Sequence, residues 1–178
     1  MRAILLGFFL FLFVGCGKQE ERQKSDARRG LIVSTERFCL ELDSGFINPE
    51  DNSYLTKFIP ANVAEIEFYE KTAGKFDNQF FAFKKTLEEE TEKLASGNKV
   101  WVSKYRAFRS RELDGEKGVV VDQARFYEQE ARRDFAEQCN GTAEKLRLAA
   151  KMLLPSDYNE LVARAKAEHQ EYLDLLKR

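Results

Sequence analysis

The sequence predicts an all-α protein, a helical bundle built around one long central helix. Apolar residues recur at helical spacing from Leu31 almost to the C-terminus. Ile66, Ala73, Phe80, Leu87 and Leu94 repeat every seven positions. Tyr69, Phe76 and Phe83 repeat between them until Glu90 interrupts the series. Such a seam belongs to a helix that packs on its neighbours at a shallow angle. Eleven Phe residues between Phe38 and Phe135 supply bulk for one core, and the length suits a single domain.

The elements follow in order. Ser34 is an N-cap for STERFCLELDSG, with Phe38, Cys39 and Leu42 on one face and Gly45 as the stop. Asn48-Pro49-Glu50-Asp51 opens a short segment carrying Tyr54, Leu55 and Phe58, closed by Pro60. Residues 61–96 form the spine, continuous through Gly74 and ended by Gly97-Asn98. Residues 99–122 are ambiguous. Trp101, Tyr105 and Phe108 have helical spacing, while VWV and VVV read as strands. A helix to about Arg111 followed by an Asp114-Gly115 turn is expected there, with a small hairpin or irregular segment as the alternative. A helix from about Val120 to Cys139 then turns Ala124, Tyr127, Ala131, Phe135 and Cys139 inward, and Asn140-Gly141 stops it. Thr142 caps the next helix, with Leu146, Ala149, Ala150 and Leu153 inward, until Pro155 breaks it. Asp157 and Glu160 form a capping-box pair before a last helix whose apolar face includes Leu161, Ala165, Tyr172, Leu175 and Leu176.

The N-terminus has a different character. Arg2 precedes an apolar run from Ala3 to Val14, too short for a membrane-spanning helix and of the length of a signal-peptide core. The run ends in Phe13-Val14-Gly15-Cys16, which resembles the lipobox of bacterial lipoproteins. Phe13 would occupy the −3 position, which the ordinary signal peptidase requires to be small. The resemblance implies cleavage before Cys16 and acylation of that residue, hence a lipid anchor in the bacterial cell envelope. Gly17 is not the Asp that retains such proteins in an inner membrane, so the periplasmic face of an outer membrane is expected where two membranes exist. The resulting division is a signal peptide (1–15), a lipidated Cys with a flexible tether (16–30), and one helical domain (31–178). The tether reading rests on GKQEERQKSDARRG, which offers almost nothing to bury.

With Cys16 committed to lipid, Cys39 and Cys139 remain as an even pair in an oxidising compartment. A Cys39–Cys139 disulfide is expected, worth roughly 4–5 kcal/mol for so long a loop. The processed chain is close to neutral: 29 Lys and Arg less Arg2 leaves 28, against 30 Asp and Glu. That balance excludes nucleic acid as the main partner.

No catalytic motif is present. The sole His, His169, has no accompanying GxSxG, no glycine-rich phosphate loop occurs, and Lys166 stands where a Glu-x-x-His iron site needs its carboxylate. Glu88, Glu89, Glu90 and Glu92 read as a solvated face paired with Lys84, Lys85 and Lys93. No metal, cofactor or enzymatic activity is expected. The one basic, aromatic stretch is Lys99, Trp101, Lys104, Tyr105, Arg106, Arg109 and Arg111, the candidate surface for a partner. The expected function is therefore a lipid-anchored, non-enzymatic binding or adaptor module for another envelope component, such as an assembly machine, a toxin or a lytic enzyme. A ligand-capturing bundle and, behind it, a carboxylate-dependent cell-wall or lipid hydrolase are the alternatives.

Overall fold

A computed structural model describes residues 2–44, 64–68, 71 and 78–176, and every described segment of regular structure is helical. Four helices carry the fold: α1 (Arg2–Ser44), α2 (Asn78–Leu113), α3 (Val119–Lys151) and α4 (Tyr158–Leu176). Residues 64–68 add a short helical segment whose Ile66 is buried in the same core. The predicted segment around Tyr54, Leu55 and Phe58, and the seam positions Tyr69, Ala73 and Phe76, lie outside the described residues.

α3 is the central element, packing against both α2 and α1, while α1 also packs against α4. Cross-helix contacts set the directions. Glu36 and Cys39 of α1 meet Arg147 and Ala143 of α3, so these helices are antiparallel. Arg29 meets Asp157, Arg37 meets Glu168 and Glu41 meets His169, so α1 and α4 run the same way. α2 and α3 form an antiparallel hairpin through a turn at residues 114–118. Gly115 (φ 72°) and Gly118 (φ 82°) adopt the left-handed conformation there, which other residues take only at a cost. The helix-turn-helix reading of 99–122 therefore holds, and the small hairpin of strands does not.

The seam of α2 carries Phe80, Phe83, Leu87 and Leu94, all buried, and runs on to Trp101. Leu31, Ile32, Phe38, Cys39 and Leu42 of α1 join Phe135, Cys139, Ala143, Leu146 and Ala150 of α3, with Leu161 and Ala165 of α4, in one continuous core.

Several expectations are corrected. Cys39 and Cys139 are both free and buried, and they are not at disulfide distance. The Cys39 thiol instead donates to the Ala143 carbonyl at 3.4 Å, one turn beyond Cys139 on the inward face of α3. Burial pushes both thiols up to about 12, so neither supplies the thiolate that disulfide exchange requires. Residues 17–30 are helical rather than a flexible tether. Lys24 lies 3.6 Å from Glu20 and 3.3 Å from Glu21, Arg29 pairs with Asp157, and the Arg28 guanidinium sits 5.5 Å from the Phe80 ring centroid. With the packed turns of 31–42 already formed, extending the helix costs far less than nucleating one. Ser34 consequently lies inside α1 and caps nothing.

Two predicted helix stops are also helix interior. At Gly97, α2 passes close to side chains of α3. A Cβ there would stand 2.0 Å from Gln138 Oε1 and 3.1 Å from the Phe135 ring. The residue was selected for close approach, not termination. Thr142 does not cap a new helix, because its hydroxyl faces Glu90 Oε2 at 3.2 Å. At the end of α4, Tyr172 and Leu175 are exposed rather than packed. Among the described residues no helix is long and apolar enough to cross a membrane.

Candidate functional site

The candidate surface lies on the outer half of the α2–α3 hairpin, where neither α1 nor α4 supplies the contacts. A helix lets residues three and four apart share a side, and this arithmetic divides the seven predicted residues into three groups. Trp101 and Tyr105 turn toward α3. Lys99, Arg106 and Arg109 lie along one outer side. Lys104 and Arg111 lie along the other.

Trp101 is buried against Phe135, with ring centroids 5.5 Å apart, and its indole N–H donates to Glu128 Oε1 at 3.0 Å. It is a packing residue of the hairpin, because a buried indole needs an acceptor and Glu128 supplies it. Its place on the partner surface is therefore withdrawn. Tyr105 is half-buried beside it. Lys99 and Arg106 are exposed and have no ion-pair partner among the described residues. Arg109 pairs with Glu112 at 2.6 Å, Arg111 with Glu116 at 3.1 Å, and the Lys104 ammonium lies 5.5 Å from the Tyr127 ring centroid.

The hairpin end also exposes Val100, Leu113, Val119, Val120, Phe126 and Tyr127. Tyr127, expected inward, is 45% exposed. One turn of α3 is rotated from the predicted face, because Val121 and Glu128, not Tyr127, share the inward side with Phe135.

Two buried charge clusters lie closer to the bundle. Glu90 stands in the seam where an apolar residue was due, with its side chain only 6% exposed. Lys93 at 2.6 Å, Lys145 at 3.0 Å and Thr142 surround it. Burial alone would raise its pKa, but the hydrogen bonds from Lys93 and Lys145 outweigh it and hold the carboxyl below the usual range. The stabilisation this confers is present above the ordinary carboxylate pKa and is lost as pH falls through the lowered one. Glu88, Glu89 and Glu92 are exposed and fit the solvated face expected of the acidic run, Glu88 and Glu89 beside Lys84 and Lys85; Glu90 does not.

In the second cluster Arg147 donates to both oxygens of Glu36, at 2.9 and 3.1 Å, and to Asp43 at 2.7 Å. Burial opposes the charge of Arg147, yet these carboxylates push its pKa higher still. His169 Nδ1 lies 3.5 Å from Glu41 Oε1, half-buried between α4 and α1. These groups are bonded to one another across helix interfaces. No group of three or more metal-ligating side chains occurs among the described residues.

No protein-family model matches this chain, and neither a curated protein nor a solved structure matches it.

Proposed function

We propose that this protein is a lipid-anchored component of the bacterial envelope that holds a helical hairpin away from its membrane to bind another envelope protein. The observation that carries the reading is the course of α1, one helix from the lipobox-like Cys16 into the packed core. Arg28 marks a level shared with Phe80 of α2. At the helical rise, Cys16 lies about 18 Å to one side of that level, and Leu113 lies about 50 Å to the other. An anchor at Cys16 therefore sets the hairpin end some 65–70 Å from the membrane surface. A binding role, rather than an enzymatic one, suits an end that combines exposed apolar side chains with Lys99 and Arg106.

The address is tested by mass spectrometry of protein from the membrane fraction. A diacylglyceryl or triacyl Cys16 at the amino terminus is the expected result. A chain that begins at Gly17, or a soluble chain with a free Cys16 thiol, overturns it.

The binding role is tested by Arg106→Glu with Arg109→Glu, on the outer side of α2. Both side chains reach water, and the pair that Arg109 makes with Glu112 is an exposed one, so thermal stability should change by less than about 1 kcal/mol. Capture of the envelope partner from crosslinked cells should fall severalfold and lose its dependence on salt. Undiminished capture removes this side of the hairpin from the interface.

A further inference from the structure

We infer that two copies of this chain pair side by side through the opposite flank of the hairpin, with their long axes parallel. On that flank α2 exposes Val100 and the small Ala107, and α3 exposes Val120 and Tyr127. Lys104 lies on the α2 edge, within reach of the Tyr127 ring. Glu130 and Asp134 continue the same i+3, i+4 stripe along the α3 edge. The α2 edge of the flank thus carries Lys104, and the α3 edge carries Glu130 and Asp134, the latter 3.6 Å from the exposed Arg133.

This asymmetry selects the symmetry of a dimer. A twofold axis along the hairpin lays α2 of one copy against α3 of the other and brings each Lys104 onto an edge carrying Glu130 and Asp134. An axis across the hairpin would set Lys104 near its own counterpart, which like charge disfavours. The contacts between α2 and α3 also give the register. Gly97 is level with Gln138, Trp101 with Phe135, and Phe108 with Arg125. Lys104 is thus level with residues 129–132, and Ala107 with residues 126–129. In the parallel dimer Tyr127 of each copy lies over Ala107 of the other, and Lys104 faces Glu130.

Charge alone chooses the axis, and the anchor proposed above is compatible with it. Parallel copies carry both Cys16 residues at one end and both hairpin ends at the other, so a single membrane can hold the pair. The area is modest. About 30 Å of a two-helix flank, about 15 Å wide, offers roughly 450 Å² per copy, against about 800 Å² for a standard stable interface. Association is accordingly weak, and it is read by covalent linking, which accumulates pairs that form only transiently. The side bearing Lys99 and Arg106 remains free for a different partner.

The test uses full-length, membrane-extracted protein in mild detergent, as two differently tagged copies. One carries Ala107→Cys and the other Gln123→Cys, whose amide reaches the Tyr127 hydroxyl in the same chain. A short bifunctional thiol reagent should link the mixed pair and should not link two Ala107→Cys copies. Lys104→Glu should lower the linked fraction about fivefold, and adding Glu130→Lys should restore it. Links between two Ala107→Cys copies, no link in the mixed pair, or indifference to Lys104→Glu would overturn the proposal. Because the readout is taken in detergent, a linked pair bearing an unacylated Cys16 sinks the anchor and leaves the dimer standing.

Discussion

Phe80→Ala should destabilise the protein by about 3–5 kcal/mol, as truncation of a fully packed core Phe does. The Phe80 side chain has no exposed surface. It begins the buried seam of α2, and Arg28 of α1 lies over its ring, so the cavity would open where α1 and α2 meet. For a chain of this size the loss corresponds to a fall in Tm of about 10 °C or more. Glu88→Gln and Glu89→Gln on the same helix provide the contrast. Both carboxylates are more than half exposed, with Lys84 at 4.0 Å and Lys85 at 3.8 Å, and each substitution should stay within about 0.5 kcal/mol. Urea unfolding followed by circular dichroism measures all three. A loss under 1 kcal/mol for Phe80→Ala would mean that this end of α2 is not packed as described.

The fold class and the inward face of α2 were legible because a seven-residue apolar repeat survives any tertiary context. Phe80, Leu87 and Leu94 are buried, and Trp101 continues their series. The errors have a common physical origin. Gly97-Asn98 and Asn140-Gly141 carry the local signals of helix ends, but local preference is about 1 kcal/mol per residue and packing overrides it. Gly97 permits contact with Gln138 and Phe135, and Thr142 serves Glu90 instead of a helix terminus.

The same limit applies to residues 17–30. Their composition promises no burial of their own, and only the partners Asp157 and Phe80, distant in sequence, reveal why Arg29 and Arg28 are ordered in a helix. The cysteine pairing failed because parity of count carries no geometry. Cys39 reaches α3 one turn away from Cys139. For the candidate surface, the sequence located the right stretch of α2 but not its sides. It named Trp101, which the hairpin buries, and missed Tyr127 and Val120, which the rotation of α3 leaves in water.

Arg147→Met should cost about 3–5 kcal/mol, more than any exposed ion pair in the molecule, because of what it leaves behind. Glu36 retains only 3% side-chain exposure, and Arg147 satisfies both of its oxygens. Without the guanidinium a carboxylate remains in the α1–α3 interface with neither water nor a counter-ion. Asp43, with 41% side-chain exposure, loses a hydrogen bond that water can replace, so its part is small. The double variant Glu36→Leu with Arg147→Met removes both charges and leaves two apolar side chains of comparable size. It should recover most of the loss, since replacing a buried pair entirely is often neutral or stabilising. A double variant as unstable as Arg147→Met would assign the cost to lost packing of the arginine stem. A single variant within 1 kcal/mol of the parent would mean that solvent reaches Glu36, and that α1 is held to α3 by its apolar face alone.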